Sequence, residues 1–200
     1  MTRTNTVSLI RHGQTLWSIT GQHTGRTNIP LTELGRRQAD ALGEMLDGQA
    51  FSLVLSSPLA RAWETMERAG YAGQGVASDD ILEWDYGVYE GRTTDDIRRD
   101  IPGWSIWTHP VEAGESVDEV AARADRTIEA CLAADGPVAV FAHGHFLRIM
   151  AARWMGLPPT AGRNLSLGTA TVSTLGWERE NRVLRMWNDA CHLDSMDPVL

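Results

Sequence analysis

Short runs of strand-forming residues alternate along this chain with longer segments of helical periodicity. The strand-type runs occupy residues 6–10, 51–57 and 137–143, and each is rich in apolar side chains. In the segments between and after them, apolar residues recur every three or four positions, as on one face of a helix. Strands separated by helices pair in parallel, and both faces of their sheet are buried. The sequence therefore predicts an α/β fold, a three-layer sandwich with a mainly parallel sheet and helices on both faces.

Capping residues predict where several of the helices begin. Thr32 precedes one amphipathic segment, and its side chain suits an N-cap. Ser57-Pro58 predicts the start of a second helix, which we expect to end at Gly70. Ser116 and Glu119 have the spacing of a capping box, so a third helix is predicted to start there.

The length of 200 residues suits one domain, and no linker or repeat divides the chain. Residues 79–115 form an irregular stretch with a brief helix near 93–100, and we predict that this stretch is a small capping segment. Residues 169–177 and 183–188 are typical of two closing strands. We predict a single domain spanning residues 1–200.

The negative net charge of the chain argues against some classes of binding partner. The net charge is −8, which argues against nucleic acid or an anionic membrane as a partner, since both need a basic surface. An anionic small molecule must then be held by a local cluster of cations. No apolar run is long enough to span a membrane and no signal peptide is evident, so we predict a cytoplasmic protein. Cys131 and Cys191 are expected to be reduced, and a homodimer is a candidate assembly.

Each strand-type run ends in residues that can bind an anion. Arg11 and His12 end the first run, Ser57 ends the second with Arg61 one helical turn later, and His143 ends the third. Because parallel strands have their carboxyl ends along one edge of a sheet, these residues are expected to converge on one crevice. Two arginines, two histidines and a helix N-terminus are matched to a phosphate dianion.

Residues 9–148 contain, in order, the motifs RHGQTLWS, TGRTNIPLTELGRRQA, SSPLARAWET, LEWDYGVYEG, GES and FAHGHFLR. With these motifs the chain resembles the histidine phosphatase (phosphoglycerate-mutase-like) superfamily. The resemblance implies that His12 is the nucleophile and Glu83 the proton donor. It also implies that the phosphoryl oxygens are held by Arg11, Arg61 and His143. The predicted substrate-binding residues are Ser18, Thr24, Gly25, Tyr86, Gly144 and His145.

The chemistry of phosphoryl transfer fits these roles. A neutral imidazole can attack phosphorus through one nitrogen while the other keeps its proton on a backbone carbonyl. We expect Gly13 to let the backbone approach the His12 ring closely enough for that contact. Arg11 and Arg61 stay charged and can stabilise the equatorial oxygens in the transition state. His143 is expected to do the same when it is protonated beside the dianion.

The residues alone do not identify the general acid, because three carboxylates are candidates for it. Glu83 lies between Leu82 and Trp84, and apolar surroundings favour a protonated carboxyl. A solvated loop carboxylate would explain Glu83 as well, and Asp85 and Glu90 are competing acids. The position of Glu83 in LEWDYGVYEG decides for it through the resemblance.

Two further features have alternative explanations. His143-Gly144-His145 offers two imidazoles, but a third and a fourth metal ligand at a recognised spacing are missing, so neither a metal nor another cofactor is predicted. Trp84, Trp104 and Trp107 either fill the core or stack on a substrate ring. Trp107 is the strongest candidate for a substrate contact.

The resemblance covers both phosphatases and mutases. Mutases of this family have a paired arginine after a W-x-x-W-like stretch, where this chain has Thr108-His109. Arg98-Arg99 could substitute for that pair, but we expect them to form local ion pairs on the surface of their helix.

A phosphatase is therefore favoured. The sequence predicts a metal-independent phosphomonoester hydrolase that forms a phosphohistidine on His12, similar to the branch of acid phosphatases and sedoheptulose-bisphosphatases. Its partner would be a sugar phosphate or a similar small phosphorylated metabolite. A phosphoglycerate mutase is the alternative, and a non-catalytic phospholigand-binding protein is the second alternative.

Overall fold

A six-stranded sheet forms the centre of the molecule, for which the computed structural model describes residues 5–194 and 196. The strands are β1 (Val7–Arg11), β2 (Leu53–Ser56), β3 (Gly75–Ala77), β4 (Val138–Ala142), β5 (Val172–Glu178) and β6 (Asn181–Asp189). Their order across the sheet is β3-β2-β4-β1-β5-β6. The first four strands pair in parallel, whereas β5 and β6 are antiparallel. The predicted α/β fold with a mainly parallel sheet is confirmed.

Helices cover both faces of this sheet. They are α1 (Leu16–Thr20), α2 (Glu33–Leu46), α3 (Ala60–Met66), α4 (Thr94–Asp100), α5 (Val117–Ala133) and α6 (Gly144–Trp154). In β1, Val7 and Leu9 join a buried cluster with residues of α5 and α6, whereas Ile10 joins a second cluster with residues of α2 and α3. This split follows from the alternation of side chains along a strand. Among the residues that the structure describes, no helix is both long and apolar enough to cross a membrane.

The predicted helix starts were right for α2 and α5 and wrong for α3. The Thr32 hydroxyl accepts a hydrogen bond from the Gly35 N–H, and Ser116 forms a capping box with Glu119. Helix α3 begins at Ala60, because Ser57 accepts from the Leu59 N–H within a turn and is itself turned towards the sheet edge.

The predicted end of α3 also needs correction. The regular α-helix stops at Met66, and a wider turn with i to i+5 hydrogen bonds follows at Glu67–Tyr71. Gly70 lies within this turn with φ of 94°, a value that glycine adopts without the steric cost of a side chain. The five-residue helix α1, capped by Thr15, was not predicted because it is too short to show periodicity.

Residues 79–115, for which a capping segment was predicted, bring two stretches of chain together near Gly87. The Val88 N–H donates to the Glu112 carbonyl (3.1 Å), and the Glu115 N–H donates to the Asp85 carbonyl (3.0 Å). A Cβ on Gly87 would lie 2.0 Å from the Glu112 carbonyl oxygen, so only glycine allows the two chain ends to approach this closely. Residues 88–113 therefore form an excursion whose two ends are side by side.

Candidate active site

The anion-binding residues predicted at the strand ends meet at one edge of the sheet. The His12 N–H donates to the Ala142 carbonyl (3.0 Å) and the Ser57 N–H donates to the Phe141 carbonyl (3.0 Å), so the turns after β1 and β2 both pack on β4. The rings of His12 and His143 lie 5.3 Å apart between centroids. A cavity of about 380 Å³ lies between the carboxyl ends of the strands and residues 83–107. Arg11, His12 and Glu83 line this cavity, whereas Arg61 and His143 are buried behind its wall.

His12 is held as a neutral imidazole with one nitrogen available. Its Nδ1 lies 2.7 Å from the Gly13 carbonyl oxygen and donates its proton there, which leaves the lone pair on Nε2. The ring is almost completely buried at the floor of the cavity. Burial, and then the charges of Arg61 and Arg11, hold the pKa of His12 well below 6.5. Nε2 can therefore act as a nucleophile over a wide range of pH.

Gly13 has a different reason to be glycine from the one expected. The contact with the His12 ring uses only the Gly13 carbonyl oxygen, which any residue supplies. A Cβ at Gly13, however, would lie 2.4 Å from the Gly35 carbonyl oxygen, and a Cβ at Gly35 would lie 2.1 Å from that of Gln14. The first turn of α2 and the loop after β1 thus approach each other through paired glycines, and this contact fixes the His12 backbone.

Arg61 is buried and Arg11 is half-buried, and the Nε atom of each is buried without a partner. Arg61 donates to the carbonyls of Thr24, Gly25 and Thr27 at 2.9–3.1 Å. Arg11 donates through Nη1 to the Leu167 carbonyl (2.5 Å). Burial lowers the pKa of Arg11, and it lowers the pKa of Arg61 to about 10. Both remain cations at neutral pH, because a guanidinium group is not deprotonated in proteins. The Nε–H of each guanidinium has no hydrogen-bond partner within residues 5–194 and 196.

His143 adds a third buried nitrogen without a partner. Its Nε2 lies 2.8 Å from the Ser57 hydroxyl oxygen, which also accepts a hydrogen bond from the Leu59 N–H. Its Nδ1 is buried and has no hydrogen-bond partner in the described chain. Burial, followed by the charge of Arg61, lowers the pKa of His143 well below 6.5. Without a bound dianion, His143 is therefore neutral rather than charged.

Glu83 lies in the cavity wall at the N-terminus of α6. Its Oε1 accepts from the N–H groups of Trp84 (3.0 Å) and Phe146 (2.9 Å), and its Oε2 accepts from the His145 N–H (3.1 Å). The expectation of a purely apolar setting was incomplete, because the aromatic neighbours come with three backbone donors. Glu83 in effect caps α6, whose N-cap residue His143 provides no side-chain hydrogen bond to the helix.

The two competing carboxylates are engaged away from the cavity. Asp85 accepts from the Gly87 N–H and lies 3.7 Å from the Arg26 guanidinium. Glu90 accepts from the N–H groups of Arg26 and Thr27. Of Glu83, Asp85 and Glu90, only Glu83 lines the cavity.

An ion pair fixes the backbone on both sides of Glu83. Arg123 contacts Glu115 with two hydrogen bonds of 2.8 Å, and both side chains are largely buried. Arg123 also donates to the carbonyls of Asp80 and Leu82, ahead of Glu83, whereas Glu115 accepts from the Asp85 N–H beyond it. The position of the carboxylate is thus set by contacts on either side.

Most of the predicted substrate-binding residues line the cavity. Those in its wall are Ser18, Thr24, Tyr86, Gly144 and His145. Gly25 does not line it; its carbonyl holds Arg61 from behind, and a Cβ there would lie 2.7 Å from the Trp84 carbonyl oxygen.

Tyr86 and His145 form a hydrogen-bonded pair of neutral groups. The Tyr86 hydroxyl oxygen lies 2.7 Å from Nδ1 of His145. Burial raises the pKa of Tyr86 well above 10 and lowers that of His145 well below 6.5. Tyr86 therefore keeps its proton and His145 stays neutral at pH 7.

Residues 7–190 match the family profile described as the histidine phosphatase superfamily (branch 1). The chain belongs to this superfamily. This histidine phosphatase is 39% identical over 186 residues to a protein from Mycobacterium tuberculosis named acid phosphatase, with 91% of each chain covered. It is 34% identical over 186 residues to a sedoheptulose 1,7-bisphosphatase of Saccharomyces cerevisiae, with 74% of this chain and 67% of that one covered.

Two further matches show the range of related proteins. A Yersinia pestis protein named probable phosphoglycerate mutase is 29% identical over 204 residues, with 94% of each chain covered. The solved structure of a mycobacterial glucosyl-3-phosphoglycerate phosphatase superposes with a TM-score of 0.83 at 29% identity, covering 94% of this chain and all of that one. The resemblance of the motifs to the histidine phosphatase superfamily is thus confirmed, and so is the prediction that the enzyme is a phosphatase.

Two arginines line the cavity of this histidine phosphatase although they were not predicted to do so. Arg99 forms the expected surface ion pair with Asp96 (2.7 Å), but its neighbour Arg98 lines the cavity instead. Arg148 also lines it, one helical turn after Gly144 on α6. The spacing of four residues from Gly144 was a usable signal for Arg148, because residues four apart share a helix face. Of the three tryptophans considered, Trp104 and Trp107 line the cavity, whereas Trp84 is buried behind it.

The buried neutral histidines of this histidine phosphatase predict a pH-dependent stability. Burial lowers the pKa of His23 to about 4 and holds those of His12, His143 and His145 well below 6.5. Between pH 6.5 and pH 5 the unfolded chain therefore binds more protons than the folded one. The free energy of unfolding should be greatest above pH 6.5 and fall as the pH is lowered, by up to about 1.4 kcal/mol per pH unit for each histidine.

Urea unfolding in phosphate-free buffer at several pH values between 5 and 7 measures this slope. His23→Asn should reduce the slope, since it removes one of the groups that titrate only in the unfolded chain. A free energy of unfolding that stays constant or rises as the pH falls through this range would contradict the prediction.

Proposed function

We propose that this chain is a metal-independent phosphomonoester hydrolase that works through a phosphohistidine on His12. The observation that supports it best is the set of unpartnered nitrogens beside His12. The Nε–H groups of Arg11 and Arg61 and the Nδ1 atom of His143 are all buried without a partner in the described chain. Leaving such groups unpaired is costly. The oxygens of a phosphoryl group would accept from both guanidinium groups, and from His143 when its Nδ1 carries a proton.

The first step transfers the phosphoryl group to the enzyme. Nε2 of His12 attacks phosphorus in line with the ester oxygen, and the Nδ1 proton stays on the Gly13 carbonyl. The P–O bond to the leaving group breaks as the N–P bond forms, and Arg11, Arg61 and His143 stabilise the equatorial oxygens. Protonated Glu83 gives its proton to the departing oxygen, so the alcohol leaves neutral and Glu83 becomes a carboxylate.

The second step returns the enzyme to its starting state. A water molecule replaces the alcohol and attacks the phosphohistidine, while the Glu83 carboxylate accepts the water's proton. The N–P bond breaks, inorganic phosphate leaves, and the electron pair returns to Nε2 of His12. Oε2 is the oxygen suited to this exchange, since it accepts one backbone hydrogen bond, whereas Oε1 accepts two.

We propose a sugar phosphate, or a small metabolite like it, as the substrate. The cavity has hydroxyl and amide groups from Ser18, Gln22 and Ser105 beside the indole rings of Trp104 and Trp107. Aromatic faces contact the C–H groups of a sugar, and the polar groups pair with its hydroxyls. Two of the related proteins have names that include a phosphorylated sugar as the substrate. The cytoplasmic location and the homodimer stay predictions from the sequence.

A mutase remains the second candidate because one matched relative is named as such. The position at which mutases have a paired arginine is occupied by Thr108 and His109, and neither lines the cavity. Nδ1 of His109 accepts from the Ser105 N–H instead, which closes a turn of the capping segment. This arrangement supports hydrolysis over retention and return of the phosphoryl group.

Inorganic phosphate release distinguishes the candidates. With glucose 6-phosphate in excess EDTA, we expect one phosphate per molecule of alcohol formed, because the cations that hold the phosphoryl group are side chains. In the described residues, no three His, Cys, Asp or Glu side chains are grouped as metal ligands would be. With 3-phosphoglycerate we expect little isomerisation and no appreciable stimulation by 2,3-bisphosphoglycerate.

Three results would contradict this function. Fast interconversion of 3- and 2-phosphoglycerate with negligible phosphate release would identify a mutase. Loss of activity in EDTA with recovery on adding Mg²⁺ or Zn²⁺ would exclude the metal-independent mechanism. Tight binding of phosphate esters without any turnover would identify a non-catalytic binding protein.

A further inference from the structure

The buried face of α2 includes one glutamine. The other buried residues of this helix are Gly35, Ala39, Leu42 and Leu46, whereas Gln38 is a polar residue that is only 1% exposed. Glutamine side chains are rarely buried, because the amide loses its hydrogen bonds with water. The proposed mechanism gives Gln38 no role, and this residue does not line the cavity. A buried amide of this kind needs a partner inside the protein.

Gln38 binds the loop that follows β1. Its Oε1 accepts a hydrogen bond from the Gln14 N–H at 2.9 Å. A backbone N–H can only donate, so the oxygen of the amide rather than its nitrogen faces Gln14. The Thr169 hydroxyl oxygen lies 3.5 Å from the same Oε1, at the limit of a hydrogen bond. The next residue, Ala170, donates its N–H to the His12 carbonyl (3.0 Å). Gln38 thus lies between two stretches of chain that adjoin His12.

The hydrogen bond to Gln14 acts on the same peptide unit that holds the His12 ring. This unit joins the Gly13 carbonyl to the Gln14 N–H, and its atoms lie close to one plane. At one end the carbonyl oxygen lies 2.7 Å from Nδ1 of His12, and at the other end the N–H donates to Gln38. Fixing the N–H therefore fixes the direction of the carbonyl. Hydrogen bonds in such a chain also polarise one another, so Gln38 makes the carbonyl a stronger acceptor.

Other contacts hold the rest of this loop independently of Gln38. The Gly13 N–H donates to the Thr65 hydroxyl oxygen (3.0 Å). The Gln14 carbonyl accepts from the Thr32 N–H (2.9 Å). Loss of the Gln38 amide should therefore leave the loop in place and free a single peptide unit to turn. The group that loses its support is the acceptor for the Nδ1 proton of the nucleophile.

We propose that Gln38 is a positioning residue that sets the tautomer of His12 through the Gly13–Gln14 peptide unit. With the carbonyl held in place, the proton of the neutral ring stays on Nδ1 and the lone pair is on Nε2. With the carbonyl turned away, the ring can carry its proton on Nε2 instead, and that nitrogen then cannot attack phosphorus. This inference rests on the proposed function, because it takes His12 as the nucleophile.

Gln38→Met removes the acceptor and keeps an unbranched side chain of similar length. The rate of p-nitrophenolate release from p-nitrophenyl phosphate in single turnover should fall about 10- to 100-fold, as when other partners that orient a functional histidine are removed. The affinity for inorganic phosphate in calorimetric titration should stay within about threefold of the wild type. Arg11 and Arg61, which bind the phosphate, are held by other groups. Gln38→Glu keeps an acceptor oxygen and should lose less of the rate.

Leu46→Ala is the matched control for an effect on folding alone. Leu46 lies on the same buried face of α2, about two turns after Gln38, and packs in the cluster that contains Met66. Its replacement should lower the midpoint of urea unfolding and leave the single-turnover rate of the folded protein unchanged. Equal rate losses in Leu46→Ala and Gln38→Met would overturn the inference. A Gln38→Met variant that loses only affinity for phosphate would overturn it as well.

Nitrogen NMR of the free enzyme measures the tautomer directly. In protein with ¹⁵N-labelled histidine, a ring nitrogen that carries a proton differs in chemical shift from one that does not. The chain has six histidines, and the His12 signals are assigned by their absence in the His12→Ala variant. We expect the His12 ring to be protonated on Nδ1 in the wild type and partly on Nε2 in Gln38→Met.

This measurement separates the inference from the proposed function. If the wild type hydrolyses no phosphate ester, the proposed function is wrong, whereas the tautomer of His12 still tests the role of Gln38. A His12 ring that stays protonated on Nδ1 in Gln38→Met would overturn the inference. A wild-type ring protonated on Nε2 would also overturn it, even if the Gln38→Met variant does not fold.

Discussion

Replacing His12 with alanine should eliminate the phosphorylated enzyme and lower kcat by about 10⁴-fold or more. The neutral His12 ring, held by the Gly13 carbonyl, lines the cavity beside the unpartnered nitrogens of Arg11, Arg61 and His143. Rapid quench of the wild type with labelled substrate should trap a phosphoryl group that is stable in alkali and labile in acid, as expected for a phosphohistidine.

His109 is a suitable control for this experiment because it does not line the cavity. His109→Ala should trap the same labelled species as the wild type, whereas His12→Ala should trap none. Label on a serine, or label that persists in the His12→Ala variant, would show that the nucleophile is a different residue.

Replacing Glu83 with glutamine should reduce hydrolysis of alkyl phosphates by about 10²- to 10⁴-fold. An alkoxide leaves slowly without a proton, whereas an aryl phosphate releases a phenolate that needs little help. The loss with p-nitrophenyl phosphate should therefore be at least about tenfold smaller than the loss with glucose 6-phosphate. Some loss should remain with the aryl ester, because the water that attacks the phosphohistidine needs a base.

Glu90→Gln is the matched control for this prediction. Glu90 also accepts two backbone hydrogen bonds, from Arg26 and Thr27, but it does not line the cavity. The Glu90→Gln variant should leave the ratio of alkyl to aryl phosphate hydrolysis rates unchanged, even if the substitution lowers the stability of the protein. Equal losses for the two substrate classes in single-turnover measurements of Glu83→Gln would exclude Glu83 as the acid.

Local signals in the sequence identified the parts of the site that depend on a single strand end or cap. Arg11 ends a buried strand and His12 directly follows it, so their place at the sheet edge follows from the parallel fold alone. Thr32 and Ser116 cap helices through hydrogen bonds to residues only three positions away. Such contacts are encoded within a few residues and are readable without the tertiary structure.

The features that the sequence did not reveal depend on distant contacts. The backbone donors at His145 and Phe146 that hold Glu83 lie more than sixty positions along the chain. Arg98 and Arg99 are neighbours in a charged helix, and composition cannot tell which of them faces a cavity. Helix α3 begins at Ala60 rather than directly after Ser57 as predicted. The Ser57 hydroxyl instead forms a tertiary hydrogen bond with His143.

The neck of the capping segment couples substrate choice to the position of Arg61. Residues 88–113 begin and end side by side near Gly87, while Glu83 lies outside them and is anchored by the start of α6. Near its beginning, the same excursion is hydrogen-bonded to the loop of residues 22–27, through the carboxylate of Glu90 and through a bridge at Thr93. The carbonyls of that loop hold the Arg61 guanidinium. A change in the first residues of the excursion should therefore alter the rate of the reaction, whereas a change further along should alter mainly the choice of substrate.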